Sequence, residues 1–414
     1  MGSKSTTLLL LIGFLHIFIV TSSCSHLYSS LGGNFSGDPG ELNSNLTSMA
    51  KRLINQAYAD IDPSRLIDFH THILGMGNSP SGIWINPAMQ SLGNPLRYFR
   101  FQIFKNAAGI ENIESADQNY LKRLLKLIDN LPYQGKFMIL GLDKHYRPDG
   151  KEDPEWTDLY IPNEYIANIA KQHPEKFIPM ISVNPHRRDA IDKLEYWRKQ
   201  GIRFIKWLPN AMGIDPSDPK LESYYLKMKE LGMILLVHVG DEGSVHTGPF
   251  EKFGNPLLLR RPLDMGVKVI MAHCASDGTN KDLDASSQNE ISNFDLFVRM
   301  MNEPRYEGLL FGEISGLTQI NRFDGPLQTL LKKQEWHHRL VNGSDYPLPA
   351  LNTVVWTGSL ERAGFITGDE MEALDLIYKY NPILFDFVLK RTVRHPETGE
   401  RFPSSVFMFP KVLK

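Results

Sequence analysis

The chain reads as an α/β protein, a (β/α)8 TIM barrel with an insertion after strand 1. Three observations predict this. From Leu66 onward, short apolar, β-rich runs alternate with stretches of helical periodicity. Such runs number eight. No glycine-rich dinucleotide fingerprint follows any early strand, which weighs against an open doubly wound sheet.

The eight expected strands are 66–72, 136–142, 177–183, 202–207, 233–239, 268–272, 308–313 and 340–343. Between the first two, Leu121, Leu124, Leu125 and Ile128 fall on one helical face. Between the fourth and fifth, Leu221, Tyr224, Tyr225 and Met228 repeat the pattern, and Gly232 sits where a C-terminal cap belongs. The barrel is expected over 61–393. The connection 73–115 is far longer than the usual ~2–6 residues of a βα loop. It carries Trp84, Tyr98, Phe99, Phe101 and Phe104, too many aromatics for disorder. It is expected as an ordered insertion over the barrel mouth, with Trp84 and Arg100 as candidate substrate contacts. The extension 394–414 is expected to pack against the outside of the barrel.

The ends of the chain carry other information. Lys4, the apolar run 8–20 and the small polar Thr21, Ser22 and Ser23 have the layout of a secretory signal peptide, assigned to 1–23. Cys24 follows where a lipoprotein acceptor would stand, although Thr21 replaces the usual Leu. The competing reading is an ordinary cleaved signal with an incidental cysteine. The chain is therefore expected to be exported, as a periplasmic or cell-surface lipoprotein or as a secreted protein. Residues 24–60, rich in Ser, Gly and Asn, are expected as a flexible tether passing into a short helix near 46–57. The triplets Asn34-Phe35-Ser36 and Asn45-Leu46-Thr47 are glycosylation acceptors only in a eukaryotic secretory route. Cys24 and Cys274 are the two cysteines, so loss or acylation of the first leaves no intrachain disulfide.

With 414 residues, 42% of them hydrophobic, the chain can bury a large core. Lys and Arg total 45 against 47 for Asp and Glu, so no basic excess is available for a nucleic-acid backbone. A small-molecule substrate is the expected partner.

In a barrel, chemistry sits at the C-terminal ends of the strands. Ile67-Asp68-Phe69-His70-Thr71-His72 places two imidazoles two residues apart at the end of strand one, where period-two alternation sends both to one face. His238 ends strand five, and Asp345 follows strand eight in Gly343-Ser344-Asp345-Tyr346-Pro347. Three imidazoles and a carboxylate on one rim suit zinc or another borderline divalent ion, with water completing the shell. The histidines at 16, 26, 173, 337, 338 and 395 belong to no such group and read as core or surface residues.

These motifs resemble the amidohydrolase superfamily, in particular its amidohydrolase-related, aminocarboxymuconate-semialdehyde decarboxylase-like group of metal-dependent barrel enzymes. The stretches that carry the resemblance are Asp68-Phe69-His70-Thr71-His72, 163–185 with Pro174-Glu175-Lys176-Phe177, His238, Met271-Ala272-His273, Gly343-Ser344-Asp345-Tyr346-Pro347 and Asn381-Pro382, spanning 66 to about 387. The resemblance implies His70, His72 and His238 as ligands, Asp345 as ligand and proton acceptor, and His273 as a nearby catalytic group. It also implies a metal-dependent hydrolase acting on a lactone, amide or ester, with one Zn2+. Some relatives carry a carboxylated lysine at the end of strand four, the place of Lys206. A modified Lys206 would bridge a second metal with His273. The preferred reading is an unmodified lysine that contacts substrate or pairs with a neighbour such as Glu313. Glu313 and Ser315 on strand seven have no assigned role. The rival activity is non-oxidative decarboxylation, which calls for an arginine on the substrate acid, with Arg97, Arg100 and Arg203 as candidates. A third reading is a non-catalytic, metal-containing surface binding protein, which Asp345 argues against because structural zinc sites are usually closed.

Overall fold

The structure, a computed structural model, describes residues 30–33 and 37–413. The signal-like segment, Cys24 and the first glycosylation triplet lie outside the described residues. Within them no helix is long and apolar enough to cross a membrane.

Eight parallel strands occur where expected among the described residues: β1 (Ile67–His72), β2 (Lys136–Leu140), β3 (Phe177–Met180), β4 (Phe204–Trp207), β5 (Ile234–Val237), β6 (Lys268–Met271), β7 (Leu310–Glu313) and β8 (Leu340–Val341). Neighbours in sequence are neighbours in space. Strands β1 to β3 form one hydrogen-bonded run and β4 to β8 another. Two parallel bridges, Ile181 with Ile205 and Thr71 with Tyr346, join the runs into a closed ring. A closed barrel leaves no sheet edge exposed.

The barrel interior is filled by Ile67, Phe69, Met138, Leu140, Met180, Phe204, Ile234, Leu236, Ile270, Phe311 and Val341. Ile67 and Phe69 lie in this cluster, so strict alternation along β1 would turn Thr71 inward and the flanking His70 and His72 outward. A register irregularity between Asp68 and Thr71 resolves the conflict. The bulge lets Phe69 fill the barrel while His70 and His72 both reach its mouth.

The surrounding helices follow from their apolar stripes and caps. Helix α1 (Ser48–Tyr58) starts at Thr47, whose side chain accepts from Ala50 N, and buries Ala50, Leu53, Ile54, Ala57 and Tyr58. Helix α2 (Pro95–Ala107) lies within the insertion. Helix α3 (Ala116–Asp129) buries Tyr120, Leu124, Leu127 and Ile128, with Leu121 and Leu125 at the margin of that face. Near the end of the chain, α4 (Gly368–Tyr380) begins with a Thr367–Glu370 capping box. Helix α5 (Pro382–Thr392) begins with Pro382 after Asn381, whose side chain accepts from Ile383 N and Leu384 N.

Two expectations about the ends are corrected. The glycine-rich segment is not a free tether as far as residue 60. Gly32, Gly33 and Gly37 are buried, and a Cβ at each would fall 2.4 Å from Ile103 O, 2.2 Å from Ala350 O and 2.3 Å from the Tyr380 ring. These are close backbone approaches that only glycine permits. The C-terminal extension packs against the outside of the barrel only in part: Phe402, Val406 and Phe407 join the core shared with the surrounding helices, but the last residues enter the barrel end. Leu413 belongs to the barrel-interior cluster, and the Phe409 ring lies 5.7 Å from Phe69 and 6.1 Å from Phe204. Phe409 N donates to Arg65 O at the start of β1, so the tail plugs the end opposite the histidines.

Candidate metal centre

At the C-terminal mouth, His70 and His72 from β1 meet Asp345 from the loop after β8. His70 Nε2 is 3.2 Å from His72 Nε2 and 3.3 Å from Asp345 Oδ1, and His72 Nε2 is 3.0 Å from the same oxygen. One ligand atom from each lies within 4.8 Å of the others. Asp345 reaches this position in a left-handed conformation (φ 58°), held by its N–H donating to His70 O at 2.6 Å. A second left-handed stretch, His273, Cys274 and Ala275 (φ 57°, 48° and 53°), turns the chain sharply after β6 and brings the His273 ring in, 5.3 Å from that of His70. Non-glycine residues in this region are strained, and such strain gathers at functional sites.

His238, after β5, stands beside His273 with 5.3 Å between ring centroids. It does not join the tight cluster of His70, His72 and Asp345. Its Nε2 is 3.5 Å from the Glu242 carboxylate and 3.3 Å from Asp241 O. Lys206, at the end of β4, is buried, with Nζ 3.3 Å from His70 Nε2. The expected pairing of Lys206 with Glu313 is corrected, because the Glu313 oxygens are already taken. Oε2 faces His70 Nδ1 at 3.1 Å and accepts from Ser315 Oγ at 2.7 Å, and Oε1 accepts from Ser315 N at 2.5 Å. Ser315 Oγ also lies 2.7 Å from His273 Nδ1. Glu313 and Ser315 thus hold the far nitrogens of two imidazoles, leaving both Nε2 atoms for the site. This is the usual arrangement behind metal-bound histidines.

Burial governs the titration of these groups. It pulls His70 down to about 4, helped by the Lys206 charge, and holds His273 well below and His238 below the usual imidazole value. Burial pulls the Lys206 ammonium down to about 8. It pushes Asp345 up, but the charge of His70, the hydrogen bond from His72 and the charge of His273 outweigh it, leaving the carboxyl well below its ordinary range. Burial thus favours the neutral imidazole at His70, His238 and His273, and the same surroundings favour the ionised carboxylate at Asp345. This donor set fits a borderline divalent cation, and His70, His72 and Asp345 are the residues that would hold it.

The cluster opens into a cavity of about 380 Å3. Residues of the insertion 73–115, among them Leu74, Met76, Ile85, Met89, Phe101 and Phe104, form one wall. The expected contacts Trp84 and Arg100 do not line it. Trp84 is next to Ile85 on a short strand paired with 159–160, and adjacent strand residues face opposite ways. Arg100 lies off the helical face carrying Phe101, Phe104 and Lys105 and donates to Val245 O at 3.5 Å. Arg97 pairs with Asp158, and Arg203 reaches Gly232 O at 3.4 Å before β4 begins. The arginine that does line the cavity is Arg322, buried after β7 with Nη2 3.2 Å from Asp277 Oδ2 and with an unpartnered Nε. Sequence reasoning missed it along with Glu242 and Asp277. The acidic residues at 241–242 and 277 follow strand-end histidines closely and could have been found that way. Arg322 stands nine residues beyond the last residue of β7 and had no such marker.

No family model matches the chain, and no curated protein sequence matches it. It is similar to an uncharacterised TIM-barrel protein from Bordetella bronchiseptica at 16% identity and a TM-score of 0.47, covering 74% of this chain and 94% of that one. It is similar to a 5-carboxyvanillate decarboxylase from Novosphingobium aromaticivorans with bound manganese, at 12% identity and a TM-score of 0.43, covering 77% and 94%. A third similar structure, assigned as a 2-pyrone-4,6-dicarboxylic acid hydrolase from Acinetobacter baumannii with citric acid bound, has 14% identity and a TM-score of 0.42, covering 76% and 92%.

Proposed function

We propose that the chain is a metal-dependent hydrolase of the amidohydrolase superfamily, acting on a lactone, amide or ester of a small molecule. The observation that carries this is the division of the Asp345 carboxylate. Oδ1 faces His70 and His72 at 3.3 and 3.0 Å, and Oδ2 faces His273 Nε2 at 3.8 Å. One oxygen is thus placed to share in holding an ion and the other to move a proton.

A bound divalent ion supplies Lewis acidity and lowers the pKa of water towards ~7. Asp345 Oδ2 takes the proton from the attacking water and returns it to the leaving group. His273, fixed through Nδ1 by Ser315, presents Nε2 to the oxygen that gains charge. Lys206 holds positive charge next to His70 and stays unmodified, so the site takes one ion, with Zn2+ as the proposed metal. His238, paired with Glu242, lines the same cavity. The signal-like leader supports export, with a lipid on Cys24 as the proposed tether.

One observation favours a second reading, non-oxidative decarboxylation. Arg322 presents a buried, half-satisfied guanidinium to the cavity, the group an acid substrate requires. Metal analysis of the purified protein, followed by a screen of lactones, amides, esters and aromatic carboxylates, tests both. Chelator-sensitive release of an acid from a neutral substrate supports hydrolysis. Chelator-sensitive release of CO2 replaces it with decarboxylation. A metal-free protein with full activity overturns both.

A further inference from the structure

The cavity wall away from the metal centre is apolar to a degree that metal binding does not require. Met76, Met89, Phe101 and Phe104 from the insertion, Leu142 after β2 and Leu351 after β8 all face it. Met89 and Phe101 are 8% exposed, and Leu351 is 6% exposed. The volume of about 380 Å3 lies at the lower end of the ~300–1,000 Å3 of small-molecule sites. A polar body placed against these six side chains would lose its water without gaining partners, a loss on the order of tenfold or more in affinity for each stranded group. Aliphatic and thioether side chains outnumber the two phenylalanines, and the unbranched methionines adapt to an uneven occupant.

The geometry points to a substrate whose acyl group is an unbranched alkyl chain, seated in this chamber with its carbonyl at the metal centre. This inference rests on the hydrolase reading of the same site. In the reaction, water oxygen bonds to the acyl carbon as the bond to the alcohol or amine oxygen or nitrogen breaks. One water proton passes through Asp345 to that leaving group, the other is lost to solvent as the new acid ionises, and the chain departs as a carboxylate. Lys105 on helix α2 also lines the cavity, and burial lowers its pKa.

Calorimetric titration of the metal-loaded full chain with acetohydroxamate, hexanohydroxamate, octanohydroxamate and benzohydroxamate tests the chamber. Each added methylene is expected to tighten binding roughly threefold to fourfold until the chamber is full. Phe104→Asp is expected to flatten that dependence. Should this charge unfold the protein, Leu351→Trp narrows the chamber and lowers octanohydroxamate affinity relative to acetohydroxamate. Displacement of Nile red by octan-1-ol, which cannot chelate, reads the chamber independently of the metal. Displacement by octan-1-ol and not by ethanol, with no hydroxamate bound, sinks the metal reading and keeps the chamber. Length-independent hydroxamate binding without displacement by octan-1-ol overturns the chamber, and tighter binding of benzohydroxamate than octanohydroxamate overturns the choice of a chain.

Discussion

Glu313 Oε2 lies 3.1 Å from His70 Nδ1, and both side chains are almost completely buried. Burial pushes the Glu313 carboxyl up, but the His70 hydrogen bond and the nearby charges of His70 and Lys390 hold it below its usual range. An ionised Glu313 keeps the His70 proton on Nδ1 and directs the Nε2 lone pair towards His72 and Asp345. Glu313 is a positioning residue.

Glu313→Gln keeps the shape and removes the charge. Loss of a carboxylate behind a metal-bound histidine typically weakens metal affinity about 10- to 100-fold. Competition with a chelating dye should show that loss with the fold unchanged by circular dichroism. Parent affinity in the variant would remove Glu313 from the account.

The tail plug gives a prediction about stability alone. Leu413 is fully buried at the closed end of the barrel, far from the histidines. Leu413→Ala is expected to cost about 3 kcal/mol in urea unfolding, within the usual range for a buried leucine, and to leave metal content unchanged. A cost below about 0.5 kcal/mol, the level of an exposed position, would show that the plug does not contribute.

Lys206 decides the metal count. An unmodified lysine 3.3 Å from His70 Nε2 leaves room for one ion, so native mass spectrometry should find a single metal per chain and no carboxylate adduct. Two ions and a 44 Da increment on Lys206, the mass of one CO2, would establish a bridged pair instead.

The legible part of the protein was whatever local pattern dictates. Alternating apolar runs placed all eight strands, and the polar interruptions at His70, His72, His238 and Asp345 marked the rim. Long-range pairing was not legible. The Glu313–Ser315–His273 chain joins residues up to 42 positions apart through side-chain geometry that no periodicity encodes. The tail was misjudged because an exit after the last helix says nothing about which end of the barrel remains open. Leu413 and Phe409 fill the gap at the closed end of the eight-stranded barrel. Trp84 and Arg100 were chosen by residue type, and the backbone of the insertion turns each away from the cavity by a single strand or helix position.

Asp345 carries the central claim, since one of its oxygens shares in metal binding and the other moves the proton. Asp345→Asn retains an oxygen for the ion and removes the base. Metal content by mass spectrometry and turnover of the substrate found by screening are measured on the same preparation. The account predicts that metal is largely retained while turnover falls ~100- to 10,000-fold, whereas His70→Ala loses both together. A metal-replete Asp345→Asn protein that turns over at the parent rate would contradict it.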